Sequence, residues 1–410
     1  MKIRIFTVLF ALLTVSLSVK SDWQPQTSGV VDNLTEVYFV NETTGWIIGS
    51  NGKVLNTTNG GTIWSPQVSG TTNSLSAVDF SSVSTGYAVG TGSIIIKTTN
   101  GGVLWTMSTV SAMTQGINSI DFTDNNTGYI CGNEGKIGKT TNGGTTWQVI
   151  TFDINHFYND VKAVDANTVY IAGISGVVLK STNGGTNWTQ QVTGSNNYIS
   201  SIVFADANNG YFSTLGLNEE VYRTTNGGTN WFVASVPGTT PGFNSISVVS
   251  SLTLYGAAPV GTVRRTTNGG LSWETQLTGD TSLYLNDIFM VNANVGYAVG
   301  SNGRIIKTIN GGIGIHQIST NVPKGFSLEQ NYPNPFNPVT NIEFSVPKSG
   351  DIKLTVFDVT GKEVAKLVDQ NLQIGTYKVD FDAATLSSGI YFYKLETAGF
   401  IEAKKMILVK

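Results

Sequence analysis

The chain has 410 residues, 40% hydrophobic and only 12% charged, with 47 glycines, 10 prolines, two histidines and one cysteine. That length accommodates two or three domains. A formal net charge of -3 excludes nucleic-acid binding of the usual basic kind, because there is no surplus of cations to neutralise phosphates. Cys131 alone cannot make a disulfide framework, and two histidines leave little for a zinc centre, so no metal or other cofactor is demanded. Richness in glycine, threonine and asparagine fits either a turn-dense all-β fold or a low-complexity chain.

At the N-terminus, Lys2 and Arg4 precede an uncharged run from Ile5 to Val19. That run is short for a membrane span, and a small residue follows at Ser21, so residues 1–21 read as a cleaved secretory signal with Ser18 and Ser21 as candidate cleavage points. The mature chain then has no membrane span, and loss of Lys2, Arg4 and Lys20 makes it more acidic.

Next comes a repeat. Asn-Gly-Gly recurs at Asn59, Asn100, Asn142, Asn183, Asn226, Asn268 and Asn310, at intervals of 41 to 43 residues. A tryptophan stands five residues after six of these asparagines: Trp64, Trp105, Trp147, Trp188, Trp231 and Trp273. An aromatic stands thirteen before most of them, for example Trp46, Tyr87, Tyr129 and Tyr170, while Tyr211 lies fifteen before Asn226 and marks an insertion in the fifth repeat. Each unit reads as four short β-branched and aromatic strands, with Asn-Gly-Gly supplying the positive φ of a tight hairpin between the third and fourth. Seven such units predict a seven-bladed β-propeller over 22–315, with an open solenoid as the competing architecture.

The seventh unit lacks its tryptophan, where Ile315 stands. The missing piece lies upstream: Trp23-Gln24-Pro25-Gln26-Thr27-Ser28-Gly29 parallels Trp64-Ser65-Pro66-Gln67-Val68-Ser69-Gly70. An N-terminal strand is therefore expected to close the last blade and remove the ring's exposed edges. The segment Thr140-Thr141-Asn142-Gly143-Gly144-Thr145-Thr146-Trp147 resembles the Asp-box, or BNR repeat, of sialidases and related propellers, with asparagine in place of the usual aspartate. The whole unit, including Gly86 to Gly90, is similar to the photosystem II stability and assembly factor propellers. That resemblance speaks to fold; the hairpin is shared by enzymes and binding scaffolds alike.

After an expected linker over 316–324, charge density rises: 19 charged residues lie among the 86 from Gly325 to Lys410. Alternating apolar runs with Asp358-Val359-Thr360-Gly361 and Ser387-Ser388-Gly389 turns predict a small immunoglobulin-like β-sandwich over 325–410. The motif Tyr332-Pro333-Asn334-Pro335-Phe336-Asn337-Pro338 and the following strands resemble the type A C-terminal sorting domain of the type IX secretion system. The resemblance implies the type IX machinery as a partner, passage through the periplasm, and release from or attachment to the outer cell surface. An adhesive module of the same fold is the competing reading.

Ligands of propellers meet the loops joining strand four to the next strand one and strand two to strand three, opposite the Asn-Gly-Gly turns. That face is expected to carry Glu134, Lys136, Glu219, Glu220, Arg304 and the residues His156, Phe157, Tyr158, Tyr198, Phe243 and Tyr284. Of these, Glu134, Glu219 and Glu220 are the candidate catalytic acids, and Tyr158, Tyr198, Phe243, Tyr284 and Arg304 the candidate ligand contacts. Competing readings stand beside them: Tyr158, Tyr198 and Phe243 lie at or beside the first apolar position of a strand, and Glu219-Glu220 suits a solvated loop. Asp79 and Asp121 occupy equivalent repeat positions, and the cations at Lys97, Lys139, Lys180, Arg223, Arg265 and Lys307 recur three residues before the turn asparagine, which argues for structural roles. A sialidase, which needs an arginine cluster, is not expected. The function expected is a secreted or surface binding module for a glycan or protein ligand. The alternatives are an Asp-box glycoside hydrolase or lyase using paired carboxylates, and a scaffold for envelope assembly.

Overall fold

The computed structural model describes residues 22–215, 220–234, 242–276, 278–312, 314–383 and 386–410. The expected signal segment 1–21 lies outside them. Seven four-stranded antiparallel sheets follow the repeat. Their inner strands are Leu34–Phe39, Leu75–Phe80, Ile117–Phe122, Tyr158–Ala163, Tyr198–Phe204, Ser245–Val248 and Leu285–Met290, in blades one to seven. Each inner strand lies against the inner strands of the neighbouring blades, and the first lies against the seventh, so the sheets close into a propeller.

The aromatic spacing in the sequence is a packing rule between blades. The aromatic thirteen residues before the turn stacks on the last residue of the next blade's inner strand: Trp46 on Phe80, Tyr87 on Phe122, Tyr170 on Phe204 and Tyr297 on Phe39, with ring centroids 3.5 to 4.1 Å apart. The blade's own tryptophan meets that phenylalanine edge-on, as Trp105 meets Phe80 and Trp147 meets Phe122. Each such pair adds about 0.5–1.5 kcal/mol beyond its area burial. Glycine is required beneath the phenylalanine, because a Cβ on Gly86 would lie 2.3 Å from the Phe80 ring.

Every Asn-Gly-Gly turn is held alike. In blade three the Thr140 hydroxyl donates to Asn142 Oδ1 and accepts from the Gly144 amide, while Asn142 Oδ1 also accepts from the Thr146 amide. The first glycine's carbonyl then anchors the preceding blade. Gly227 accepts Tyr170 Oη at 2.8 Å and Lys180 Nζ at 2.6 Å, and Gly60 accepts Tyr297 Oη and Lys307 Nζ. The recurring lysine of blades two, three, four and seven is thus a clasp between blades.

Gln24–Gln26 pairs antiparallel with Ile305–Thr308 as the outermost strand of blade seven. Trp23 is fully buried, donates its indole N–H to Gln276 Oε1 at 2.7 Å, and meets Tyr255 edge-on.

The C-terminal region is a sandwich of two four-stranded sheets. Ile342, Phe344, Leu354, Val356, Tyr393, Leu395 and Met406 fill its core, and Gly375–Asp382 alternates buried and half-buried positions as a one-faced strand should. The linker expected over 316–324 is shorter than the sequence suggested. Ile315–Ser319 is a strand that pairs with the edge of Gly375–Asp382, Ile315 opposite Val379, and Ile315 packs against the sandwich core. Open backbone groups on that sheet edge capture a segment whose own composition is too polar to announce a strand.

Candidate functional site

Three tiers of side chains descend the channel around the propeller axis, counted from the apolar residue that anchors each inner strand. One residue after the anchor, a β-bulge recurs in six blades. At this position in every blade but the second, a polar side chain donates to the anchor carbonyl of the next blade: Thr35 to Leu75, Asn118 to Tyr158, Asn159 to Ile199, Ser200 to Phe243, Asn244 to Leu285 and Asn286 to Leu34. Two residues after the anchor, Glu36, Asp160 and Asp287 accept the backbone amides of Val78, Ile202 and Val37 in the next blade. Four residues after it, Asp79 and Asp121 accept the amides of Phe122 and Ala163 at 2.6 Å.

The channel is therefore rich in carboxylates, but each holds two blades together. Burial pushes Glu36 well above its ordinary value, raises Asp287, and brings Asp79 up to about 7 and Asp160 up to about 6. Lys162, 3.1 Å from Asp121 Oδ1, is raised by that neighbour and offsets part of the charge. Among the described residues no group of three or more histidine, cysteine or acidic side chains is placed to hold a metal.

At the mouth of the channel, opposite the Asn-Gly-Gly turns, stands the residue just before each anchor. In blades four, five and seven it is Phe157, Tyr198 and Tyr284, with 44%, 42% and 59% exposure. Blades one, two, three and six have Asn33, Ser74, Gly116 and Gly242 there. Three aromatics thus share one level of the rim. Of the expected ligand contacts, Tyr198 and Tyr284 are exposed at that rim. Tyr158 and Phe243 do not: both are fully buried anchors, one step further along the strand. Phe157, the neighbour of Tyr158, is the exposed member of that pair, and counting from the bulge position would have separated them.

The acids are placed differently from a catalytic pair. Glu134 sits in the turn between the second and third strands of blade three, accepts Thr114 Oγ1 at 2.7 Å and pairs with Lys136 at 3.3 Å. The Thr114 hydroxyl and Lys136 hold its carboxyl below the usual range, opposite to the raised value a general acid needs. Glu220 accepts the Tyr222 hydroxyl at 2.7 Å, and Glu219 lies outside the described residues. Arg304 lines a groove of about 850 Å³ between blades seven and one, but its guanidinium donates to the carbonyls of Leu283 at 2.9 Å and Thr278 at 3.3 Å. It braces that wall. Cys131 is buried in the core between blades three and four.

In the sandwich, the Tyr332-to-Pro338 segment wraps one end. Asn331 is buried, donates its backbone amide to Tyr393 Oη, and donates its side-chain amide to Pro333 O and Thr340 Oγ1. Phe336 is buried and exchanges backbone bonds with the last strand, while Asn334 Oδ1 accepts the Ile407 amide. Tyr332 is the large apolar residue of the motif left to solvent.

Residues 15–116 and 112–267 match the family model described as photosynthesis system II assembly factor YCF48, and residues 330–410 match that of the secretion system C-terminal sorting domain. Among solved structures, YCF48 bound to D1 peptide aligns with a TM-score of 0.60 at 17% identity, covering 71% of this chain and 97% of that one. YCF48 from Cyanidioschyzon merolae aligns at 0.59 and 19%, covering 70% and 98%. The WD40 β-propeller domain of Doa1 aligns at 0.56 and 11%, covering 70% and 97%. No curated protein matches. The sorting domain indicates export, with secretion or attachment to the cell surface, and contact with the secretion machinery. Among the described residues no helix is long and apolar enough to cross a membrane.

Proposed function

The chain belongs to the photosynthesis system II assembly factor YCF48 family, and on that premise we propose that it is an exported binding module whose channel mouth takes an extended segment of a partner protein. The carrying observation is the rim: Phe157, Tyr198 and Tyr284 are exposed at one level, while the carboxylates beneath them are committed to bonds between blades. Flat, rigid aromatics supply contact area at low entropic cost, and such residues dominate the energetics of protein recognition. The likeness to a propeller bound to a peptide supports a peptide-like ligand over a glycan. Within this reading, the N-terminal segment directs the chain across the inner membrane. The C-terminal domain, through the face bearing Tyr332, directs it across the outer one, where the ring acts in assembling a surface complex.

The experiment is a screen of the mature chain against a peptide library, followed by titration of the best binder. Changing Phe157, Tyr198 and Tyr284 together to alanine should weaken that binding by about 2 kcal/mol or more, roughly thirtyfold. Unchanged affinity, or cleavage of a polysaccharide by the parent chain that Glu134→Gln abolishes, overturns the reading.

A further inference from the structure

In blades two, three, four and seven, the lysine three residues before the turn asparagine donates to the first glycine of the next blade's turn. Arg265 holds this position in blade six, but its guanidinium turns elsewhere. Its Nη2 donates at 2.7 Å to Asp382 Oδ2 in the sandwich, and the two side chains are only 7% and 6% exposed. Gly311, the carbonyl Arg265 would otherwise serve, is taken by Tyr255 Oη and Gln276 Nε2. Thr253 Oγ1 also donates to Asp382 Oδ2 at 3.4 Å, and Asn310, the asparagine of the seventh turn, donates to Leu367 O at 3.4 Å. The passage between the bodies is short, because the strand at Ile315 already belongs to the sandwich.

We propose that the turn face of blades six and seven is a docking seat for the sorting domain of the same chain, latched by Arg265 and Asp382. The domain is then carried as a fixed body on the face away from the mouth, which stays open. The pair suits a latch of defined register: removing either partner leaves the other charge buried and uncompensated, and an undocked domain would expose both. Arginine rather than lysine fits the task, since its fork can stack on Tyr255, 5.9 Å away, while reaching outward to a carboxylate.

The test uses the full chain with Ser272→Cys and Val339→Cys, which line the crevice between ring and sandwich. The native Cys131 is buried and silent. A short bis-maleimide should link the pair within one molecule about tenfold faster than in the same chain carrying Asp382→Asn, because docking raises the local concentration of one thiol around the other. Exchanging the charges, Arg265→Asp with Asp382→Arg, should restore the rate. Small-angle scattering of the parent should fit one body, a measurement that stands if Asp382→Asn does not fold. Equal linking rates with and without Asp382→Asn, or parent scattering from two independently tumbling bodies, overturns the proposal.

Discussion

Asp160 accepts the Ile202 amide and the Ser119 hydroxyl across two blade boundaries while burial raises it to about 6. An acid whose folded-state pKa exceeds its unfolded value binds its proton more tightly when folded. Its contribution is therefore most favourable in acid and is lost as pH rises from 3.8 through about 6. Asp160→Asn keeps an acceptor for Ile202 but cannot ionise. Relative to the parent, the variant should gain stability as pH climbs through that window, in urea denaturation at closely spaced pH values. A difference that stays flat, or runs the other way, contradicts the assignment. The comparison must be a difference, because turn aspartates such as Asp124, Asp165 and Asp206, held low mainly by neighbouring asparagine and threonine groups, titrate with the opposite sign. At this scale the sequence was legible where a residue type recurred. The cations before six of the turns read as structural, and the four lysines among them clasp neighbouring blades. It was illegible between Phe157 and Tyr158, adjacent aromatics that point to solvent and to core respectively, because the bulge that follows sets which one the sheet buries.

Strands were legible because their apolar runs are short and bounded by paired glycines at a constant period. The closing strand is the sharpest case, readable because Trp23 to Gly29 copies a segment of the first repeat. Trp23 fills a buried site between blades six and seven, so Trp23→Ala should cost about 3–5 kcal/mol. Deleting residues 23–29 should lower the melting temperature further, since it also opens the edge of Ile305–Thr308. Calorimetry decides this, and an unchanged melting curve for the deletion would mean that the ring is closed by something else. The strand at Ile315–Ser319 was not legible, for a reason of the same kind. Its partner lies about sixty residues away, and nothing in its own alternation distinguishes it from a linker.

For the whole molecule, the proposed function gives recognition to the ring and delivery to the sandwich. Because the sandwich begins at Ile315, a clean truncation ends at Gly312 rather than within the expected linker. In cells with a type IX system, that truncated chain should fold, remain in the periplasm and be absent from the surface; fractionation and immunoblotting check this. Surface delivery equal to the parent's would remove the sorting role.

The sequence by itself determined the repeat, the number of blades, the turn chemistry and the two-part plan. Each of these is written in spacings along the chain, where a glycine's positive φ or a strand's alternation acts on near neighbours. The tertiary structure decided which side chains meet across blade boundaries. Only the packing of neighbouring blades brings Asp79 to Phe122 and Lys180 to Gly227, and only ring closure brings Asp287 to Val37, spending the acids that composition left open for chemistry. It also decided which aromatics reach the rim and that Arg265 faces Asp382, since both depend on how separately folded sheets pack, a relation that no local period records.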